Sequence, residues 1–70
     1  MTFAAAYKAM VRGQYVRRAS QAAAGTAYGL VRGQVWLYGV EGSAEEEFNA
    51  WDVDATDWVV VPVGVMEALA

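Results

Sequence analysis

Seventy residues make one domain at most, and a domain of that size buries only about 60% of the surface its unfolded chain exposes. The absence of cysteine and histidine excludes disulfides, thiolate metal sites, a Cys nucleophile, and the commonest general base and metal ligand, which leaves self-association as the way to complete a marginal core. The net charge of −3 is sharply divided: Lys8, Arg12, Arg17, Arg18 and Arg32 precede residue 33, while all eight acids, from Glu41 to Glu67, follow residue 40. Five cations on an acidic chain argue against duplex DNA as a partner, since that needs many phosphate contacts.

Thr2 is a good N-cap, and Phe3, Ala6, Tyr7 and Met10 follow at helical spacing. Gly13 stands where a C′ residue belongs and Arg12 suits the last-turn dipole, so a helix is predicted from about Phe3 to Arg12 with its apolar stripe on a sheet. Gln14 to Arg18 reads as a short strand, and Gln21 to Gly25, small and polar, as a loop. Thr26 to Val31 and Gln34 to Val40 are rich in β-formers, and the intervening Arg32-Gly33 suits a two-residue hairpin turn. In the second of these strands Trp36, Tyr38 and Val40 share one face, and Val35, Leu37 and Gly39 the other. Both faces are apolar, so one is expected on the helix and the other against another subunit.

Glu41 to Ser43 reads as a turn, Ala44 to Phe48 as an acidic stretch, and Trp51 to Asp57 as irregular or a single helical turn, with Asp54 and Asp57 available as caps. Trp58 to Pro62 is a final strand whose apolar run suits an inner position covered on both sides, with Pro62 ending its pairing. The organisation expected is one domain over residues 1–63 and a short tail over 64–70, helical or frayed. The order α-β-β-β-β gives an α+β fold, one N-terminal helix lying across an antiparallel sheet of about four strands. The most apolar run, Trp58 to Met66, is about half the ~20 residues a transmembrane helix needs and contains Pro62 and Gly64. Lys8 and Arg12 interrupt the Ala-rich start, so a secretory leader is not expected and a cytoplasmic location is.

Catalysis needs a nucleophile or base with a partner in hydrogen-bond reach. Ser20 and Ser43 have no histidine to activate them, and Lys8 has no acid nearby in sequence. Asp52, Asp54 and Asp57 lack the Gly and terminal Glu of a calcium loop, and acids near a turn usually serve as caps. Gly25, Gly29 and Gly33 recur every four residues, but no helix follows them to complete a phosphate loop. The expectation is a binding protein and not an enzyme, with neither metal nor cofactor.

Binding chemistry is better represented. Arg17 and Arg18 are adjacent on a strand, so they point to opposite faces, and one guanidinium can fork onto phosphate or carboxylate on the face the helix leaves open. The competing reading is a solvated or interfacial salt bridge to the acidic C-terminal half. Trp58, at the start of an apolar strand, suits core or interface; Trp51, in a polar bend, suits a pocket.

Two segments together resemble a known family. MTFAAAYKAMVRGQYVRRAS is similar to the opening of the phage Thoeris anti-defence two family: a short helix, a Gly-containing turn, then a strand with a V-R-R pattern. AWDVDATDWVVV is similar to that family's closing segment, where a Trp precedes an acidic bend and an Asp-Trp pair enters a valine-rich strand. The resemblance spans most of residues 1 to 61. It implies a sponge that sequesters cyclic nucleotide immune signals, such as cyclic ADP-ribose isomers or cyclic dinucleotides, without cleaving them. It also implies a homotetramer acting in the host-cell cytoplasm, with ligand pockets between subunits. By position, Arg17 and Arg18 would serve the phosphates or the interface, and Trp51, Asp57 and Trp58 would belong to the closing ligand-binding segment. Where family members carry a Gly-Trp pair after the V-R-R strand, with that Trp in the nucleotide pocket, this chain has Ser20 and Gln21, which makes Gln21 the positional candidate.

Overall fold

The computed structural model describes residues 1–20, 26–39 and 42–62. The elements in chain order are α1 (Phe3–Val11), β1 (Tyr15–Arg18), β2 (Ala27–Val31), β3 (Gln34–Gly39), β4 (Gly42–Glu45), α2 (Ala50–Asp54) and β5 (Trp58–Val61). The strands form one antiparallel sheet in the order β4-β3-β2-β1-β5. The fold is therefore α+β, with an N-terminal helix on a five-stranded sheet.

Helix α1 starts and stops on its own chemistry. The Thr2 hydroxyl accepts the Ala5 amide proton at 3.2 Å, and Gly13 turns the chain out with φ of +89°, a backbone region that costs glycine least. The Gly13 N–H closes on the Met10 carbonyl at 2.9 Å. Ala6, Ala9 and Met10 are buried, and the two alanines let the helix lie close to the sheet. Tyr7, placed in the apolar stripe by spacing, stands at its margin and remains 41% exposed.

The sheet presents Val16, Tyr28 and Trp58 to the helix, with Leu30, Val35 and Leu37 packed beside them. Phe48 folds back onto this group. Its ring centroid lies 4.9 Å from Phe3, 5.1 Å from Tyr28 and 5.5 Å from Trp58, with the Phe3 and Trp58 contacts edge to face. Such pairs add about 0.5–1.5 kcal/mol each beyond buried area. In a chain rich in alanine, this aromatic knot supplies much of the core.

The turn between β2 and β3 has the expected two residues. Arg32 and Gly33 take φ of +53° and +78°, and the double positive φ matches the twist of the flanking strands. The register Val31↔Gln34 through Ala27↔Tyr38 then runs without interruption.

Three expectations need correction. The sheet has five strands instead of about four, because Gly42–Glu45 pairs with β3 over four residues from Trp36↔Glu45 to Gly39↔Gly42. The segment after Phe48 takes the helical option, as the five-residue α2, but its cap is Asn49, not Asp54 or Asp57. Strand β5 lies at an edge and is not an inner strand. The short turn commits β2 to β3, so β1 has one free side, and β5 takes it through the register Arg18↔Trp58 to Tyr15↔Val61. Val59 and Val60 are exposed as a result. On the outer side of β5, the Trp58 carbonyl accepts from the Met1 ammonium at 2.8 Å and the Trp58 N–H donates to the Met1 carbonyl at 3.3 Å. Pro62 follows the strand directly, as expected.

The predicted loop Gln21 to Gly25, residues 40 and 41, and the tail over 64–70 lie outside the described residues. Among the described residues, no helix is long and apolar enough to cross a membrane.

Candidate functional site

Strand β1 sends its two arginines to different sides of the sheet. Arg18 pairs with Trp58 and lies on the helix side; Arg17 pairs with Val59 and lies on the opposite face. The expected divergence is present, and the two surroundings differ in almost every respect.

Arg18 is satisfied. Its Nε donates to the Asp57 carboxylate and its Nη1 to Asp52 Oδ1 at 3.4 Å, while the guanidinium carbon sits 5.8 Å from the Trp58 ring centroid. Asp57 also accepts the Ser20 amide proton at 3.3 Å. The bond from Arg18, joined by that from Ser20, holds the Asp57 carboxyl below its ordinary range despite partial desolvation, and Asp57 in turn raises the Arg18 guanidinium. Asp52 is fixed from behind by a reciprocal cap on α2: Asn49 Oδ1 accepts its N–H at 3.0 Å, and Asp52 Oδ2 accepts the Asn49 N–H at 3.2 Å. The Trp58 indole N–H donates to the Asp52 carbonyl at 2.9 Å. Arg18 therefore ties β1, α2 and the entry to β5 together, which is the salt-bridge reading of this residue.

Beside this pair opens a cleft of about 460 Å³ lined by Arg18, Ala50, Trp51, Asp54 and Ala55. Trp51 is 80% exposed and forms its wall. Asp54 lines the cleft, and Asp52 and Asp57 pair with its one guanidinium, so the three carboxylates outnumber the cation and the surroundings favour cations over phosphates.

The opposite face has another character. The register Val16↔Tyr28 sets Tyr15 beside Gly29 and Arg17 beside Ala27, with Trp36 and Tyr38 across β2. A Cβ on Gly29 would sit 2.6 Å from two Tyr15 ring carbons, so the glycine makes room for the tyrosine to lie flat across β2. Tyr15 meets Tyr38 edge to face at 5.4 Å between centroids. Desolvation, and secondarily Tyr15, pushes the Tyr38 hydroxyl above its usual pKa. In this setting Arg17 Nε is buried without a hydrogen-bond partner among the described residues. A charged donor in half-buried, aromatic surroundings is suited to an anion with a planar group attached.

The candidates read from sequence therefore separate. Arg18, Asp57, Trp51 and Trp58 gather around α2, Arg17 stands alone across the sheet, and Gln21 lies outside the described residues. Trp58 is fully buried, so its ring serves the core. Sequence reasoning did not single out Tyr15 and Tyr38 as site residues, although alternation along β1 and β3 places both on the Arg17 face. It also did not use the Asn49-x-x-Asp52 spacing, which signals the cap that positions Asp52. Among the described residues, no group of three or more acidic side chains is arranged to hold a metal ion. In comparisons with known proteins, no family model matches this chain, and neither does any curated protein or solved structure.

Proposed function

We propose that this protein is a non-catalytic binder of a small anionic ligand bearing a planar base, a cyclic nucleotide signal of the kind implied by the two resembling segments, held uncleaved in the host-cell cytoplasm. The observation that carries this reading is Arg17: a guanidinium whose buried Nε lacks a partner among the described residues, on a face with Tyr15, Trp36 and Tyr38. Leaving a buried charged donor unpaired is costly, so an acceptor that reaches it is strongly favoured. Each base stacked on an aromatic ring adds about 1–3 kcal/mol. A charged hydrogen bond adds about 1.5–3 kcal/mol.

A sponge competing for a scarce signal needs nanomolar affinity, near −12 kcal/mol. One protomer presenting a single guanidinium on that face falls short after the entropy of association is met. Two protomers facing one ligand reach it, so the working form in this reading is a homo-oligomer, with a tetramer favoured and the site at a subunit boundary. The absence of His and Cys supports capture over turnover. In this reading Arg17 takes the phosphate, and Arg18 with Asp57 and Trp58 holds β1 in place.

Calorimetry against a panel of cyclic ADP-ribose isomers and cyclic dinucleotides tests this. The expected result is tight binding to at least one, release of the intact ligand on heating, and loss of binding in Arg17→Ala with unchanged circular dichroism. Conversion of the ligand would mean an enzyme. Absence of heat with every nucleotide would turn attention to a protein partner on the same sheet face.

A further inference from the structure

The negative cleft beside α2 does not suit the phosphates of the ligand proposed above, and it asks for a different occupant. Its wall is an exposed indole, its charge comes from carboxylates, and its one guanidinium is already engaged by Asp52 and Asp57. An indole face beside a carboxylate is the combination that takes a guanidinium: the plane stacks on the ring while the N–H groups reach the acid.

The same chain carries such a group, suitably presented. Arg12 caps α1 at its C-terminus and is exposed, with Val11 beside it 66% exposed, and Lys8 and Tyr7 one turn earlier also exposed. Phe3, Tyr7 and Val11 recur every four residues, and Phe3 meets Phe48, which directly precedes the cap of α2. An apolar stripe flanked by cations thus starts beside α2 and continues along α1 into solvent. Among the described residues, the ion pairs involve Arg18 alone.

We infer that the Trp51 cleft receives Arg12 from a second copy of this chain. Helices α1 and α2 pack against each other within a protomer. A two-fold axis beside them sets α1 of each copy on α2 of the other, so that the Arg12–Trp51–Asp54 contact forms twice and Tyr7 and Val11 cover the exposed Val53. The contact leaves the Arg17 face free. It rests on the self-association in the functional reading above but not on any nucleotide.

Sedimentation velocity across a wide concentration range, without nucleotide, tests it on exposed residues whose replacement leaves the core intact. Arg12→Glu and Asp54→Arg are each expected to weaken self-association about tenfold or more, because every contact occurs twice. The double variant carrying both reversals is expected to recover most of the loss. Trp51→Ala weakens association without reversing any charge, and Arg32→Glu, at the distant hairpin tip, leaves it unchanged. Circular dichroism keeps unfolding distinguishable from dissociation. An oligomer that persists in Arg12→Glu and Asp54→Arg, a double variant no better than the singles, or dependence on Arg32 in place of Arg12 overturns the inference while leaving nucleotide capture standing. A wild-type chain monomeric throughout overturns it together with the oligomeric part of the functional reading, and calorimetry then decides nucleotide capture separately.

Discussion

Arg17 and Arg18 leave one strand in opposite directions, and their surroundings give them opposite effects on stability. Among the described residues the buried donor of Arg17 has no partner, so an apolar side chain of similar length relieves a desolvation cost. Arg17→Met is expected to leave unfolding by urea unchanged or to shift its midpoint upward, while removing ligand capture, the pattern of a residue kept for binding. Arg18 and Asp57 behave in the opposite sense. Because the fold holds the Asp57 carboxyl below its ordinary value of 3.8, its contribution is present above that pH and is lost as pH falls through the lower folded value. Asp57→Asn is therefore expected to be less stable than the parent at neutral pH, and the gap should close in acid. Urea midpoints measured for both proteins from neutral pH down to below 3 check this, and a gap constant with pH would assign the loss to packing.

At the level of elements, the small helix α2 holds Asp52 and Trp51 in place by one reciprocal cap. Asn49→Ala is expected to cost about 1 kcal/mol and to speed amide exchange at Asp52 and Val53 before the sheet is affected. Hydrogen exchange read by NMR separates that local loss from global unfolding. The same cap shows what the sequence does and does not reveal. Helix α1 is legible because its spacing, its Thr2 cap and its Gly13 exit all lie within a dozen residues, and the Arg32-Gly33 turn is legible because Gly33 suits a positive φ and the β-formers on either side leave only two residues for the turn. Strand β4 is not: Gly-Ser-Ala-Glu has no β-forming side chain, and it becomes a strand only through its pairing with β3. The apolar run of β5 cannot tell an edge from an interior, since strand order depends on which partners the earlier turns have already committed. For the site, alternation along β1 separates the two arginines, but nothing local to residues 17 and 18 shows that Asp52 and Asp57 return to meet one of them.

At the scale of the molecule, the buried hydrophobic set among the described residues is small: Ala6, Ala9, Met10, Val16, Ala27, Tyr28, Trp58 and Val61. Two valines of β5 and the indole of Trp51 remain outside it. If copies complete this core, folding is linked to assembly by mass action, and the melting temperature is expected to rise with protein concentration in differential scanning calorimetry. A melting temperature independent of concentration would show that the protomer folds unaided. The outer rim of β5 bears on what heating then does. A Trp-Val-Val-Val edge is the type of template on which chains add one after another into fibrils. Here Met1 occupies both backbone groups of Trp58, and Pro62 has no proton to give, so of the outward-facing amides along the rim only that of Val60, among the described residues, is left to greet a newcomer. One such amide is too little to seed a growing ribbon, which lets a hydrophobic strand sit at the margin of the sheet without inviting endless neighbours.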